Sequence, residues 1–195
     1  MDPVNILVAI NLFATVTANL SGAKSGFKSS MIQVVERPKS YLQKIPGNVS
    51  AIVLILVILG IFRIGVIPVE ENTDLFAVRI FGLIIFVIFS WLQIASYKAL
   101  GELYTQEIVI KKGHKLVTGG LYKTIRHPQY MSQMLSDLGA GLAVMSYLAL
   151  PVVILIEIPL FVLRAKQEDK LLEKHFKEEF TSYKKKSGFL IPFIG

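Results

Sequence analysis

The residues best suited to chemistry fall into two sets. The first is the run Gly119-Gly120-Leu121-Tyr122-Lys123-Thr124-Ile125-Arg126-His127-Pro128-Gln129-Tyr130, with His114 just ahead of it. The second is Arg164, Gln167, Glu168 and Asp169. Arg164 and Glu168 are four apart, so on a helix they share a face. An arginine fork donates two parallel hydrogen bonds to a carboxylate, and a glutamate can complement an ammonium or orient that arginine. Plainer readings stay open. Arg164 with Glu168 is also an ordinary surface ion pair, His127 before Pro128 also suits a helix start with proline at its first position, and Tyr122 and Tyr130 also suit interfacial anchors.

The two sets can act together only if the chain between them folds back. Tyr130 to Leu163 reads as a helical hairpin with arms Met131–Ser146 and Leu148–Leu163. Each arm has ~16 residues, or ~24 Å at 1.5 Å per residue, against a membrane core of ~30 Å. Pro151 fits a helix start, and Pro159 predicts a kink. A turn near Tyr147–Leu148 brings Arg126, His127, Tyr130 and Gln133 beside Arg164, Gln167, Glu168 and Asp169. Asp137 and Glu157 fall inside the arms. Ionisable groups there face an interior or a cavity, and structural and functional readings of these two weigh equally.

The composition supplies a setting for that hairpin. The 195 residues are 53% hydrophobic with net charge +7 and no cysteine. Such apolarity points to a single all-α integral membrane domain over residues 1–195. The missing cysteines remove disulfides and thiolate metal sites, and no metal centre is expected. The basic residues flank apolar runs, which favours anionic headgroups over nucleic acid as their partners. About five spans are predicted: Pro3–Leu20, Val49–Ile67, Leu75–Leu100 and the two hairpin arms. The first is read as a retained span, and Ser21–Gly47 as a lysine-rich loop that can include an interfacial helix. The Glu107–Lys111 piece is extended and amphipathic but too short for a sheet of its own. Arg164–Lys186 reads as a cytoplasmic amphipathic helix with Leu172, Phe176, Phe180 and Tyr183 as its apolar stripe. Lysine-rich loops against the acidic Pro68–Asp74 loop place every candidate site residue on the cytoplasmic side.

The order of these motifs resembles the isoprenylcysteine carboxyl methyltransferase family, within the wider group that includes phospholipid methyltransferases. The resemblance covers roughly Glu107 to Phe193. It rests on His114-Lys115-Leu116-Val117-Thr118-Gly119-Gly120-Leu121-Tyr122, on Arg126-His127-Pro128-Gln129-Tyr130, on Arg164 followed by Glu168, and on Phe180, Tyr183 and Pro192-Phe193. It implies S-adenosylmethionine-dependent methyl transfer to the carboxylate of a prenylated cysteine or a similar lipophilic acid, with residues 101–195 carrying the site. It implies that His114, Lys115, Leu116, Val117, Gly120 and Tyr122 line the adenosine and sulfonium region. Arg126, His127, Tyr130, Gln133 and Glu168 would hold the methionine portion or close the pocket. Arg164 and Glu168 would be the catalytic pair, with Arg164 gripping the acceptor carboxylate. No G-x-G-x-x-G follows a strand, so a Rossmann cofactor site is not indicated. A phospholipid N-methyltransferase, a sterol-type NADPH reductase and a non-enzymatic membrane transporter or assembly protein are the alternatives.

Overall fold

The computed structural model describes residues 2–29, 33–70, 73–101, 104–105 and 107–195, the side chains of 20–29 excepted; the side chains of Lys24 and Lys28, and Glu71, lie outside it. The protein is mostly helical. Its elements are α1 (Pro3–Ser29), β1 (Val34–Glu36), α2 (Ile45–Ile61), α3 (Asp74–Leu100), β2 (Ile110–Lys111), α4 (Pro128–Ala143), α5 (Ala149–Val152), α6 (Ile158–Phe176) and α7 (Glu178–Lys184).

The closest packing joins α3 to α4, and glycines make it possible. A Cβ on Gly139 would stand 2.5 Å from the Phe86 backbone nitrogen and 2.8 Å from the Gly82 carbonyl oxygen. A Cβ on Gly82 would stand 2.7 Å from the Ala143 nitrogen. The two backbones therefore touch, as small residues allow between helices that have no water to expel. Around this contact Val8, Val53, Val57, Phe86, Ala140, Ala143, Val144 and Val153 form the main core. At the end of the helices away from His127, the buried Arg79 of α3 ties three segments together. It donates to the Ala143 carbonyl at 2.9 Å, to Asn5 Oδ1 at 2.8 Å and to the Asp2 carboxylate.

Several boundaries differ from those read in the sequence, each for a local reason. α1 continues to Ser29 rather than ending near Leu20, so part of the expected Ser21–Gly47 loop is helical. α2 starts earlier than Val49, because Pro46 pre-sets the first helical turn. It stops at Ile61 instead of Ile67: Arg63 and Gly65 take φ of 65° and 68°, and the Gly65 carbonyl accepts from the Tyr147 amide at 3.1 Å. The predicted kink at Pro159 takes the form of a π turn over Val153–Glu157. A proline ring collides with the carbonyl four residues back, and a wider turn relieves the clash. No break separates an arm at Leu163 from a tail at Arg164, since α6 runs straight through to Phe176. The expected tail helix ends at Lys177, whose φ is 48°, and α7 follows as a separate element. The extended Glu107–Lys111 piece finds a partner in β1, with Val34 opposite Lys111 and Glu36 opposite Ile110 in an antiparallel pair.

Among the described residues one helix, α3 with 27 residues, is long and apolar enough to cross a membrane. α2 and the Pro3–Asn19 part of α1 are shorter apolar helices. Large apolar side chains stand outward along these helices and beyond, Phe13 being 74% and Leu155 72% exposed.

The glycine contact yields a direct test. Gly139→Val should cost about 2 kcal/mol or more through overpacking, read as a lower Tm in detergent. Gly119→Ala, where no atom lies within 4 Å of the added Cβ, should leave Tm unchanged.

Candidate active site

The two chemistry-bearing sets meet where α4 begins and α6 is midway along its length. His127 precedes Pro128, the first residue of α4. Its Nε2 donates to Asp169 Oδ1 at 2.7 Å. One turn along α4, the Tyr130 hydroxyl donates to Glu168 Oε2 at 2.7 Å and accepts from Arg164 Nε at 3.0 Å. Arg164 and Glu168 are thus linked through a tyrosine from the neighbouring helix. Further along, the Asp137 carboxyl lies beside that of Glu157, and Gly141 lies against Leu150. Contacts between 128–143 and 149–176 therefore close on the turn at 144–148.

Arg126 sits behind this row as a clamp. Its Nε donates to Asp169 Oδ2 at 3.2 Å, one Nη to the Ser187 carbonyl at 2.5 Å and the other to the Gly195 carbonyl at 2.9 Å. The guanidinium binds the chain after α7 to the start of α4. Burial works against ionisation of Asp169, but the hydrogen bond and charge of His127, with Arg126, outweigh it and hold the carboxyl below the usual carboxylate range. Burial pushes Tyr183 up to about 12, and its hydroxyl donates to the Tyr122 carbonyl at 2.5 Å.

Two cavities flank the Tyr130 hydroxyl. A small cleft of about 70 Å³ is lined by His114, Lys115, Leu116, Val117 and Tyr122 from the loop before α4. Arg126, His127, Gln129 and Tyr130 close it on one side, and Glu168, Leu172, Phe180 and Tyr183 on the other. His114 Nδ1 is buried there with no hydrogen-bond partner among the described residues. Burial holds the His114 imidazole below its ordinary pKa although the Glu168 charge opposes this, so the ring is neutral at neutral pH. A larger cavity of about 490 Å³ lies across Gln129 and Tyr130. Arg164, Gln133, Phe161, Ser50, Tyr97 and Tyr104 line it, with Gln43 and Lys44 at one edge.

Most of the residues singled out in the sequence gather here, in an unexpected division. His114 to Val117, Tyr122, Arg126, His127, Tyr130 and Glu168 share the cleft, whereas Gln133 and Arg164 belong to the larger cavity. Gly120 lines neither; it is exposed and takes φ of 59°, a turn position suited to glycine. Leu100, Tyr97, Tyr104 and the 42–44 segment were not foreseen as site residues, and Gln129 and Asp169 stood in the two chemistry-bearing sets without an assigned role. The carbonyls of Leu42 and Gln43 accept from Arg164 Nη1 at 2.8 and 3.1 Å. Nothing in the composition of a lysine-rich loop signals that contact. The stripe Leu172, Phe180 and Tyr183 was legible, but only as packing.

The fold and site define a mostly helical protein with a buried row of ion pairs at one end of its helices and a cavity on either side of one tyrosine. Residues 82–174, just under half of the chain, match the isoprenylcysteine carboxyl methyltransferase family. It is similar to the protein-S-isoprenylcysteine O-methyltransferase of Saccharomyces cerevisiae, at 28% identity over 59% of this chain and 49% of that protein. Proteins of the same name resemble it in Tribolium castaneum, at 31% over 42% of this chain and 29% of the relative, and, as form B, in Arabidopsis thaliana, at 24% over 58% and 59%. The matched stretch thus spans between 29% and 59% of these relatives' lengths.

Asp169 supplies a pH test. A carboxyl whose folded pKa is lowered stabilises the fold fully above its ordinary value of about 3.9, and the contribution is lost as pH falls through the lower folded value. Thermal unfolding in detergent from pH 7 to 3 should show an acid loss of Tm that is smaller in Asp169→Asn. At neutral pH Asp169→Ala should cost about 3 kcal/mol, because it strands the buried Arg126 and His127.

Proposed function

We propose that this protein transfers the methyl group of S-adenosylmethionine to the C-terminal carboxylate of a prenylated cysteine, forming a methyl ester at the cytoplasmic rim of a membrane. The observation that carries the reading is the Tyr130 hydroxyl held between Arg164 and Glu168, with one cavity on each side of it. The family match supports the reaction class, and the outward apolar side chains of α1, α2, α3 and the π turn Val153–Glu157 support several membrane spans in one domain, residues 101–195 carrying the site.

The smaller cleft suits the cofactor by its donor set. Glu168 offers a carboxylate to an ammonium, and His114 Nδ1 is a buried polar atom awaiting a partner. Leu116, Val117, Tyr122 and Leu172 offer apolar cover for a purine. At about 70 Å³ the cleft is below the ~300 Å³ of a small-ligand site. The loop from Lys112 to Gly120 must therefore move outward on binding, and Gly113 and Gly120, with φ of 75° and 59°, bracket it. When bound, S-adenosylmethionine would supply an electrophilic methyl group.

The larger cavity suits the acceptor. Arg164 is its buried cation, braced by two carbonyls and Tyr130 so that its guanidinium is held in place for a carboxylate. An ionised carboxylate needs no general base. The chain's task is to align it and exclude water. Tyr130 and Gln129 stand between the cavities, and the Tyr130 hydroxyl fixes Arg164 relative to Glu168. Arg126 and His127 act in this reading as braces around Asp169 rather than as ligands. The prenyl chain would enter between helices from lipid, where transfer from water is worth ~0.8 kcal/mol per CH₂ but transfer from the bilayer much less.

The test is tritiated-methyl transfer by purified protein to a farnesylated cysteine analogue, followed by alkaline release of methanol. Base-labile label is expected. Base-stable label on a lipid amine would overturn the ester reading. Arg164→Ala and Glu168→Gln should each lower turnover by about 100-fold or more, in protein whose Tm in detergent shows it folded. Tyr130→Phe, which removes hydrogen bonds to two charged groups, should cost about tenfold or more. Near-normal turnover in any of the three would defeat its role.

A further inference from the structure

The chain that follows α7 lines neither cavity, yet it is fastened to the site from behind. Its backbone runs beside residues 124–127. The Arg126 amide donates to the Gly188 carbonyl at 2.8 Å, and the His127 amide to the Phe189 carbonyl at 3.3 Å. The amides of Gly188 and Phe193 both donate to the Thr124 carbonyl, at 2.9 and 3.3 Å. The Phe189 amide donates to the Ile194 carbonyl at 2.7 Å and closes residues 189–194 into a turn. That turn folds directly over Gly188, where a Cβ would collide with the Ile191 carbonyl oxygen.

The turn sorts its side chains by face. Phe189 and Leu190 pack inward on the cluster of Tyr130, Met134, Phe161 and Ala165, and the Phe189 ring stands 5.3 Å from that of His127. Ile191, Phe193 and Ile194 stand outward, 58%, 72% and 63% exposed. Phe193 takes φ of 60°, a conformation that a residue other than glycine keeps only where its surroundings hold it. In water nothing offsets the exposure of three large apolar side chains on so tightly pinned a turn; in hydrocarbon each is sheltered.

Lysines ring the same turn. Lys184, Lys185 and Lys186 precede it, and Lys123 adjoins Thr124, whose carbonyl receives it; all four are exposed. Lys184 meets Glu173 at 3.9 Å, and the other three make no ion pair among the described residues. The acids of α7, Glu178 and Glu179, stand in its first turn, at the end away from the lysines. An apolar tip with a cationic collar matches a leaflet of anionic headgroups: the tip enters hydrocarbon and the lysines stop at the phosphates.

We propose that residues 184–194, with Lys123, form an interfacial anchor that docks on an anionic leaflet, and that docking steadies the wall of the smaller cleft. Arg126 and His127 close that cleft on one side, and Tyr183, next to the lysines, donates to the Tyr122 carbonyl on its lining. The anchor rests on the membrane setting proposed above, and its effect on S-adenosylmethionine rests on the cleft being the cofactor's.

The experiment places the protein in nanodiscs of phosphatidylcholine alone and of equal parts phosphatidylcholine and phosphatidylglycerol. Trp91 is the sole tryptophan, so Phe193→Trp in a Trp91→Phe background reports the turn alone. Its emission should be quenched by lipids brominated on their acyl chains and shielded from aqueous acrylamide. Emission open to acrylamide and indifferent to bromine overturns the anchor. Quenching should be stronger in the mixed nanodiscs, and the gain should vanish when Lys123→Gln, Lys184→Gln, Lys185→Gln and Lys186→Gln are combined. Identical quenching in both lipids overturns the anionic partner. The combined lysine variant should keep its Tm in detergent. It should bind S-adenosylmethionine about fivefold or more weakly than wild type in the mixed nanodiscs, and equally well in phosphatidylcholine. Removing four positive charges would by itself draw a cationic cofactor toward an anionic surface, so weaker binding reports the anchor and not the surface potential. Equal affinity in the mixed nanodiscs overturns the coupling to the cleft. If wild type binds no S-adenosylmethionine in either lipid, the cofactor reading falls, and the quenching still decides the anchor.

Discussion

The Tyr130 hydroxyl is the joint on which the rest of the site turns. It accepts from Arg164 and donates to Glu168, so one neutral oxygen from α4 sets the spacing of two opposite charges on α6. Burying a charge is costly unless it is partnered, and a charged hydrogen bond is worth more where water is scarce. That requirement fixes the neighbours too. His127 and Arg126 share Asp169, Arg164 reaches back to the carbonyls of Leu42 and Gln43, and Arg126 fastens the chain end after α7. The row of ion pairs forms because no member could be left alone in so dry a place.

Such a row needs helices that approach closely and end in register. Gly82 and Gly139 bring α3 and α4 to backbone contact, and Arg79 ties the opposite end of the same pair. The π turn at Val153–Glu157 absorbs Pro159 without stopping the helix, so Arg164, Glu168 and Asp169 stay on one continuous element. The same turn carries Glu157 into contact with Ser50 and sets it beside Asp137. A local concession to proline thereby sets a polar group behind the larger cavity.

The chemistry-bearing residues were legible in the sequence because their types are conspicuous in an apolar chain. His127, Tyr130, Arg164 and Glu168 stood out, and helix periodicity alone put Arg164 and Glu168 on one face. α3 was legible from its long apolar run. Boundaries were less so. Arg63 in a left-handed conformation ends α2 early, and Lys177 in another splits α6 from α7, although neither residue type announces such a backbone. The pairing of Val34–Glu36 with Ile110–Lys111 joins segments more than seventy residues apart, and neither shows by itself that it has a partner.

The sequence by itself determined which groups must be sheltered: charges and histidines set among apolar residues cannot face hydrocarbon unpaired, whatever the fold. Only the tertiary structure decided who shelters whom. Gln133 went to the cavity of Arg164 and not to the cleft of His114, Asp169 took both Arg126 and His127, and the 42–44 loop supplied carbonyls to Arg164. The physical reason is that hydrogen bonds have a reach of about 3 Å. Residue type and spacing do not state which side chains from separate helices come within that distance. The packing of α3 on α4 and of α4 on α6 does.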